Sequence, residues 1–201
     1  MKKHGKFVDE EELVNILRKL KLIKLADGRF DVIGDVDFSG LGLDSLLEIP
    51  VLLKDLCFED FRIRKVTGDF HCENNNLQNL EGAPELVGGS FYCYWNKLVS
   101  FKGAPKYVGG DFWCSFNKLT SLEGAPEIVH GDFVCSFNNL TSLEGAPKHV
   151  GKDFSCSCNK LITLKGAPKE VGGNFYCNDN SKRFTEEEVR KLVNVKGIVI
   201  V

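Results

Sequence analysis

The chain has 201 residues, 43% of them apolar and 27% charged, with a formal net charge of −2 and an isoelectric point near 6.1. This balance supplies no basic footprint for a phosphate backbone, so nucleic acid is not an expected partner. No apolar run approaches the roughly 20 residues that a membrane helix needs, and the first residues lack the apolar core of a signal peptide. We therefore expect a cytoplasmic protein with no membrane partner.

Residues 1–65 are predicted to form an N-terminal α/β cap. Asp9, with Glu12 three residues later, predicts the start of a helix. The apolar residues that this helix would place on one face are Leu13, Ile16, Leu17 and Leu20. Two apolar segments, 22–25 and 30–33, flank an Asp-Gly pair and predict a β-hairpin.

A degenerate first coil and an insertion complete this cap. The first coil is predicted from the apolar spacing of Val36, Phe38, Leu41 and Leu43. Residues 51–60 interrupt that spacing and are predicted to be an insertion. The apolar residues that could form a shortened coil there are Leu56, Phe58, Phe61 and Ile63.

Residues 66–180 repeat a unit of 21 residues. The position that marks the period is a valine, found at Val66, Val87, Val108, Val129, Val150 and Val171. Because each unit begins where the previous one ends, the period predicts a solenoid whose units pack against their neighbours.

Two columns of this repeat are predicted to form the core. Phenylalanine recurs at Phe70, Phe91, Phe112, Phe133, Phe154 and Phe175, and cysteine at Cys72, Cys93, Cys114, Cys135, Cys156 and Cys177. A two-residue step on a strand puts both side chains on the same face, here the inner one. We interpret the cysteines as buried free thiols, because a single row does not offer zinc four converging ligands. No metal or cofactor is expected.

An asparagine follows each of these cysteines by three residues, at Asn75, Asn96, Asn117, Asn138, Asn159 and Asn180, and in the first five units a leucine comes two residues later. The resulting Phe-x-Cys-x-x-Asn-x-Leu resembles the core motif of leucine-rich repeats, and the whole unit resembles short repeats of phage and bacterial proteins. The resemblance implies a β-rich solenoid, a right-handed coil with a parallel sheet, asparagines bonded along the stack, and a binding role.

Each unit differs from a typical leucine-rich repeat outside the strand. The valine stands in for the leucine that usually precedes the strand, and the segment Gly-Ala-Pro closes the unit. Because proline fixes φ and disfavours helix, the outer arc is predicted to be extended or 3₁₀. A polar column before the phenylalanines is interpreted as turn-capping, and its members are Asp69, Ser90, Asp111, Asp132, Asp153 and Asn174.

Residues 181–201 are predicted to form a C-terminal helix and strand cap. Thr185 and Glu188 have the spacing of a capping box and predict a helix that continues to about Val193. The β-rich residues 198–201 are expected to cover the last edge of the sheet.

Candidate binding residues lie where the repeats differ. The residues predicted to bind a partner through the solvent face of the sheet are His71, Tyr92, Tyr94, Trp95, Trp113, Phe116, Phe137 and Tyr176. Exposed aromatic residues on a rigid sheet are typical of interface hot spots. For Phe116 and Phe137 an alternative is that the rings merely shield the sheet.

The sequence therefore predicts a scaffold that binds another protein and is not an enzyme, since no histidine recurs beside a nucleophile. Inhibition or modulation of that partner is one way in which such a scaffold would act. One alternative is a small planar or sugar-like ligand on the aromatic residues. Another is an adaptor that acts through residues 1–65.

Overall fold

Two parallel sheets of short strands run the length of the protein, a β-solenoid described over residues 10–52 and 61–201 in this computed structural model. The first, here the valine sheet, has nine strands: β1 (Lys21–Lys24), β2 (Phe30–Ile33), β4 (Ile63–Val66), β6 (Leu86–Val87), β8 (Tyr107–Val108), β10 (Ile128–Val129), β12 (His149–Val150), β14 (Glu170–Val171) and β16 (Asn194–Val195). The second, here the phenylalanine sheet, has eight: β3 (Val36–Asp37), β5 (Phe70–His71), β7 (Phe91–Tyr92), β9 (Phe112–Trp113), β11 (Phe133–Val134), β13 (Phe154–Ser155), β15 (Phe175–Tyr176) and β17 (Val199–Ile200).

Within the repeat array the register of both sheets follows the 21-residue period. In the phenylalanine sheet Phe112 pairs with Phe133, and in the valine sheet Val129 pairs with Val150. The prediction of a single parallel sheet is incomplete, because the valine and the residue before it form a second strand in every coil. Over the described residues 66–180 the outer arc of the repeats contains no α-helix, as predicted from its proline, and holds a turn in which the N–H of Ala83 donates to the carbonyl of Leu80 at 3.0 Å and Gly82 has φ of 97°.

The core is a stack of phenylalanine rings with cysteines beside them. The six phenylalanines of the repeat are at most 1% exposed, and the centroids of neighbouring rings lie 5.1–5.7 Å apart. All six cysteines of the column are buried, which confirms the prediction of buried thiols. The Sγ of Cys114 donates to the carbonyl of Val134 at 3.3 Å.

Burial has a large effect on these thiols. It is the main cause that raises the pKa of Cys72, Cys93, Cys114, Cys135 and Cys156 well above the ordinary range. At the end of the column burial raises the pKa of Cys177 to about 11. The thiolate form is therefore strongly disfavoured inside the stack.

The asparagines form a hydrogen-bonded column along the stack. In Asn117 the side-chain amide donates to the carbonyls of Cys93 at 3.0 Å, Cys114 at 3.1 Å and Ser115 at 3.2 Å. Its carbonyl oxygen accepts from the backbone N–H of Leu98 at 2.9 Å. Each asparagine of the column, which we call the asparagine ladder, thus ties its own turn to the preceding coil, as predicted.

The polar column before the phenylalanines also caps backbone groups, but of the next coil. The carboxylate of Asp111 accepts from the N–H of Asp132 at 2.8 Å, and that of Asp132 accepts from the N–H of Asp153 at 2.9 Å. Ser90 takes the same place through its hydroxyl, which accepts from Asp111 at 3.0 Å. This confirms the capping interpretation of the column.

The N-terminal cap matches its prediction over the described residues. Helix α1 (Glu10–Lys19) buries Leu13 and Leu17, while β1 and β2 form the antiparallel hairpin. Strand β3 pairs Val36 with Phe70, which confirms the degenerate first coil.

A short helix, α2 (Glu48–Leu52), was not predicted. Asp9 and residues 53–60, with Leu56 and Phe58 of the proposed shortened coil, lie outside the described residues. Phe61 is buried, and Ile63 begins β4.

The C-terminal cap also matches its prediction. Thr185 is the N-cap of helix α3 (Glu186–Leu192), and Glu188 completes the capping box. Val193 is the C-cap. Strands β16 and β17 then add one strand to each sheet, so the predicted strand covers the edge of the phenylalanine sheet.

The thiol column predicts a loss of stability at alkaline pH. Cysteines of the unfolded chain lose their protons near pH 8.5, whereas the buried thiols of the folded chain keep theirs to higher pH. Above about pH 8.5 deprotonation therefore favours the unfolded chain, so the free energy of unfolding is constant below that pH and falls above it. Each fully buried thiol should contribute a slope of about 1.4 kcal/mol per pH unit to the free energy of unfolding. Urea unfolding between pH 7.5 and 10.5 measures this slope.

Two variants test whether the thiols cause it. Cys114→Ala should reduce the slope of the free energy of unfolding against pH, above about pH 8.5, by the contribution of one buried thiol. Cys158→Ala should change that slope less, because the Cys158 thiol is partly exposed. Equal slopes for wild type and Cys114→Ala would contradict the argument.

Candidate functional site

Aromatic side chains cover the solvent face of the phenylalanine sheet over four successive coils. Two local features place them there: the residue after each core phenylalanine alternates outward on the strand, and two further residues follow each cysteine in the turn. The members of this surface, which we call the aromatic strip, are His71, Tyr92, Tyr94, Trp95, Trp113, Phe116 and Phe137.

The first row of the strip is a contact cluster centred on Tyr92. Its ring stacks on His71 with centroids 4.7 Å apart and meets Trp113 at 5.9 Å with an interplanar angle of 75°. Tyr94 lies 6.4 Å from Tyr92 and 6.2 Å from Trp113, at angles of 87° and 57°. The three larger rings are thus steeply inclined to one another and do not form a flat stack.

The second row lies in the turns, one residue before the asparagine ladder. Trp95 contacts Phe116 with centroids 5.2 Å apart, and Phe116 stacks on Phe137 at 4.3 Å with an angle of 8°. Despite these contacts, Trp95 is 57% exposed, Phe116 43% and Phe137 47%. The rings therefore shield each other only in part and offer a large apolar surface to solvent.

The backbone makes this row unusual. Trp95, Phe116 and Phe137 have φ near +55°, in the left-handed region that asparagine and aspartate tolerate best. In the outer coils the same position is occupied by Asn74 and Asp179. Bulky aromatic residues in this conformation cost on the order of 1 kcal/mol each, so local backbone preference does not explain their presence.

Tyr176 is not brought into the strip. The outward positions of the two intervening coils hold Val134 and Ser155. The hydroxyl of Tyr176 instead accepts from the side-chain amide of Asn174 at 3.1 Å. The structure therefore places seven of the eight predicted residues in two ring clusters on neighbouring coils and leaves Tyr176 apart.

A buried carboxylate beside the first row was not predicted. Glu73 is 7% exposed and lies near His71, whose Nδ1 is 3.2 Å from its Oε1. Its other oxygen, Oε2, is buried without a hydrogen-bond partner among the described residues. Burial, and next the charge of Glu73, raise the pKa of the Tyr94 hydroxyl. One signal in the sequence could have identified Glu73: the equivalent residues are Tyr94, Ser115, Ser136, Ser157 and Asn178, none of them an acid.

Beyond this end of the strip lies an open groove of about 390 Å³ between α1 and the first coil. Asp35 and Asp37 line one side of it, and Ile16 and Leu20 line the other. Asp37 pairs in register with His71, so the groove adjoins the first row of the strip.

The valine sheet carries a smaller exposed patch that the sequence analysis also missed. Tyr107 is 44% exposed and Ile128 48%, and the ring of Tyr107 lies 5.6 Å from that of His130.

Comparisons with protein-family models, with curated proteins and with solved structures found no match for this chain. Over residues 10–52 and 61–201, no group of three His, Cys, Asp or Glu side chains is placed to hold a metal ion. None of the helices described over the same residues is long and apolar enough to cross a membrane.

Because the buried Oε2 of Glu73 has no hydrogen-bond partner among the described residues, we expect that Glu73 does not stabilise the fold. Glu73→Ser installs the residue that three later coils carry, and it removes a buried oxygen that lacks a partner. The free energy of unfolding should stay equal or rise by about 1 kcal/mol, as measured by urea denaturation at pH 7. Glu123→Ser, on an exposed turn, is the matched control and should change stability by less than about 0.5 kcal/mol. A loss of more than about 1 kcal/mol in Glu73→Ser would assign Glu73 to the fold instead.

Proposed function

We propose that the protein is a non-catalytic scaffold that recognises another protein through the aromatic strip. The observation that carries the proposal is the pair of ring clusters, one of four and one of three side chains, in which Trp95, Trp113, Phe116 and Phe137 are each more than a third exposed. Tryptophan and tyrosine dominate binding hot spots because they combine a large apolar area with a polar tip. The backbone cost of the second row supports a role beyond the fold.

The dimensions of the strip favour a protein over a small ligand. It crosses four strands, which at about 4.8 Å per strand gives a length of roughly 14 Å along the stack. Small ligands bind preferentially in concave sites. Two open depressions of the described chain, of about 480 and 390 Å³, are lined by residues that do not belong to the aromatic strip. A rigid, extended aromatic surface suits the face of a partner protein.

Pure shielding of the sheet explains the strip less well. Shielding accounts for the stacked pair Phe116 and Phe137, but Trp113 is still 38% exposed although it contacts two other rings of the first row. A column whose purpose was to cover backbone would not need the polar edges of Tyr92 and Trp113.

The expected mode of action is occlusion of a partner's surface, and inhibition or modulation of that partner would follow from it. Catalysis is not proposed, since the repeated cysteines face the core and His71 lies beside a carboxylate, not a nucleophile. A column of free thiols suits a reducing compartment, which supports the cytoplasm as the location. The 21-residue repeat motif is the feature on which the resemblance to short repeats of phage and bacterial proteins is based.

Replacement of Trp113 tests the proposal. Trp113→Ala should weaken binding of a captured partner by more than about 2 kcal/mol, because it removes the ring that joins Tyr92 and Tyr94, while folding stability changes little. The partner would be captured from lysate with wild-type protein, identified, and its Kd measured by calorimetry.

Ile128→Ala, an exposed residue of the valine sheet, is the matched control and should bind normally. A partner indifferent to Trp113→Ala would overturn the proposal. Capture that instead depends on the first 65 residues would favour the adaptor alternative, and capture of a sugar or planar compound would favour the small-ligand alternative.

A further inference from the structure

The first row of the aromatic strip combines ring faces with negative charge. Tyr92, Tyr94 and Trp113 are steeply inclined to one another, so their faces point in different directions, and Trp113 is 38% exposed while Tyr92 and Tyr94 are half-buried. An aromatic face carries negative potential and attracts a cation placed over it. Such a cluster is therefore suited to a positively charged group.

Glu73 adds a carboxylate that is paired with no lysine or arginine of the described chain. It is 7% exposed, and its Oε2 has no hydrogen-bond partner within the described residues. The imidazole of His71 is its neighbour, 3.2 Å from Oε1. Neither Glu73 nor the adjoining Asp37 forms an ion pair with a lysine or arginine of the described chain.

We propose that the partner presents a basic segment, in which an arginine or lysine side chain lies over Tyr92, Tyr94 and Trp113 beside Glu73, and the segment continues along Asp37 and Asp35 into the groove at α1. This inference rests on the proposed function and names the chemistry of the partner. The apolar side of the groove, Ile16 and Leu20, receives the aliphatic stems of basic side chains.

The energetics of covering the strip favour a cation over a neutral partner. Any protein that lies on the first row removes the remaining water from Glu73 and from the exposed Asp37. A neutral apolar surface would leave both carboxylates desolvated without a counter-charge, which opposes binding. A guanidinium or ammonium supplies that charge and the missing donor to Oε2 once the covering side chains move aside. Lys19, the one basic residue that lines the groove, lies on α1 and leaves the strip itself acidic.

The test uses an acetylated and amidated peptide of three Gly-Arg repeats, titrated against the full chain. In a Trp95→Phe background Trp113 is the only tryptophan, so its fluorescence reports the first row directly. Phenylalanine occupies the same turn position in the next two coils, so this background should fold normally. The arginine peptide should change the emission of Trp113 saturably, and higher salt should weaken binding.

Matched variants and a matched peptide separate the contributions. Glu73→Gln should weaken binding of the arginine peptide at least about tenfold, and Asp37→Asn about two- to threefold. The control Glu123→Gln, on a turn away from the strip, should leave binding unchanged. A peptide of Gly-Gln repeats should not bind.

Three results would overturn the inference: no saturable binding of the arginine peptide to the Trp95→Phe protein, equal binding when Glu73→Gln is added, or equal binding of the glutamine peptide. A captured partner whose affinity depends on Trp113 but not on Glu73 would overturn it too, while the proposed function would stand. A partner that is indifferent to Trp113 would instead remove the proposed function.

Discussion

The rest of the structure depends on the asparagine ladder. The first five asparagines are buried and Asn180 is half-buried, and each bonds three carbonyls with its amide and one backbone N–H with its oxygen, as Asn117 does between two coils. Buried backbone groups left without such partners would cost about 1–3 kcal/mol each. Between regular coils the bond from each asparagine to the preceding coil spans 24 residues, whereas Asn75 reaches the carbonyl of Phe38 across 37, so extra residues are accepted where they lie outside the strand and turn that the asparagine joins.

The same ladder creates the binding surface. To place its side chain inside the turn, each asparagine follows a residue with φ near +55°, and that residue points into solvent. Strand alternation supplies the second outward row, from Tyr92 to Trp113. Columns that hold the coil together therefore cannot vary, whereas these two rows can carry aromatic residues or Glu73 without disturbing the core. Fold and recognition are separated by position within one short repeat.

Much of the fold could be predicted because it follows from periodicity. The pairing of Val36 with Phe70 and the capping box at Thr185 need only spacing and residue type. The valine sheet was not predicted, since strands of two residues such as Leu86–Val87 are too short to show alternation. Helix α2 was missed although Ser45 and Glu48 have the spacing of a capping box, because Leu46 and Ile49 also fit the repeat spacing. Trp95 is not a residue type that indicates left-handed backbone. The position of Glu73 is also buried in later coils, at Ser115, Ser136 and Ser157, but the repeat gives no reason to expect an acid there. In the candidate site, the aromatic rows were predicted, while the charge beside them and the isolation of Tyr176 required the structure.

The central claim is that the ladder maintains the fold and the aromatic rows do not. Its most direct test compares two proteins by urea unfolding at pH 7. In one, the rows are replaced by residues that other coils carry at the same positions: Tyr92→Ser, Trp113→Ser, Trp95→Asn, Phe116→Asn and Phe137→Asn. The other has the single change Asn117→Ala. The account predicts that the five surface replacements together lower the free energy of unfolding by less than Asn117→Ala, which should cost about 3 kcal/mol or more. The opposite order would contradict it.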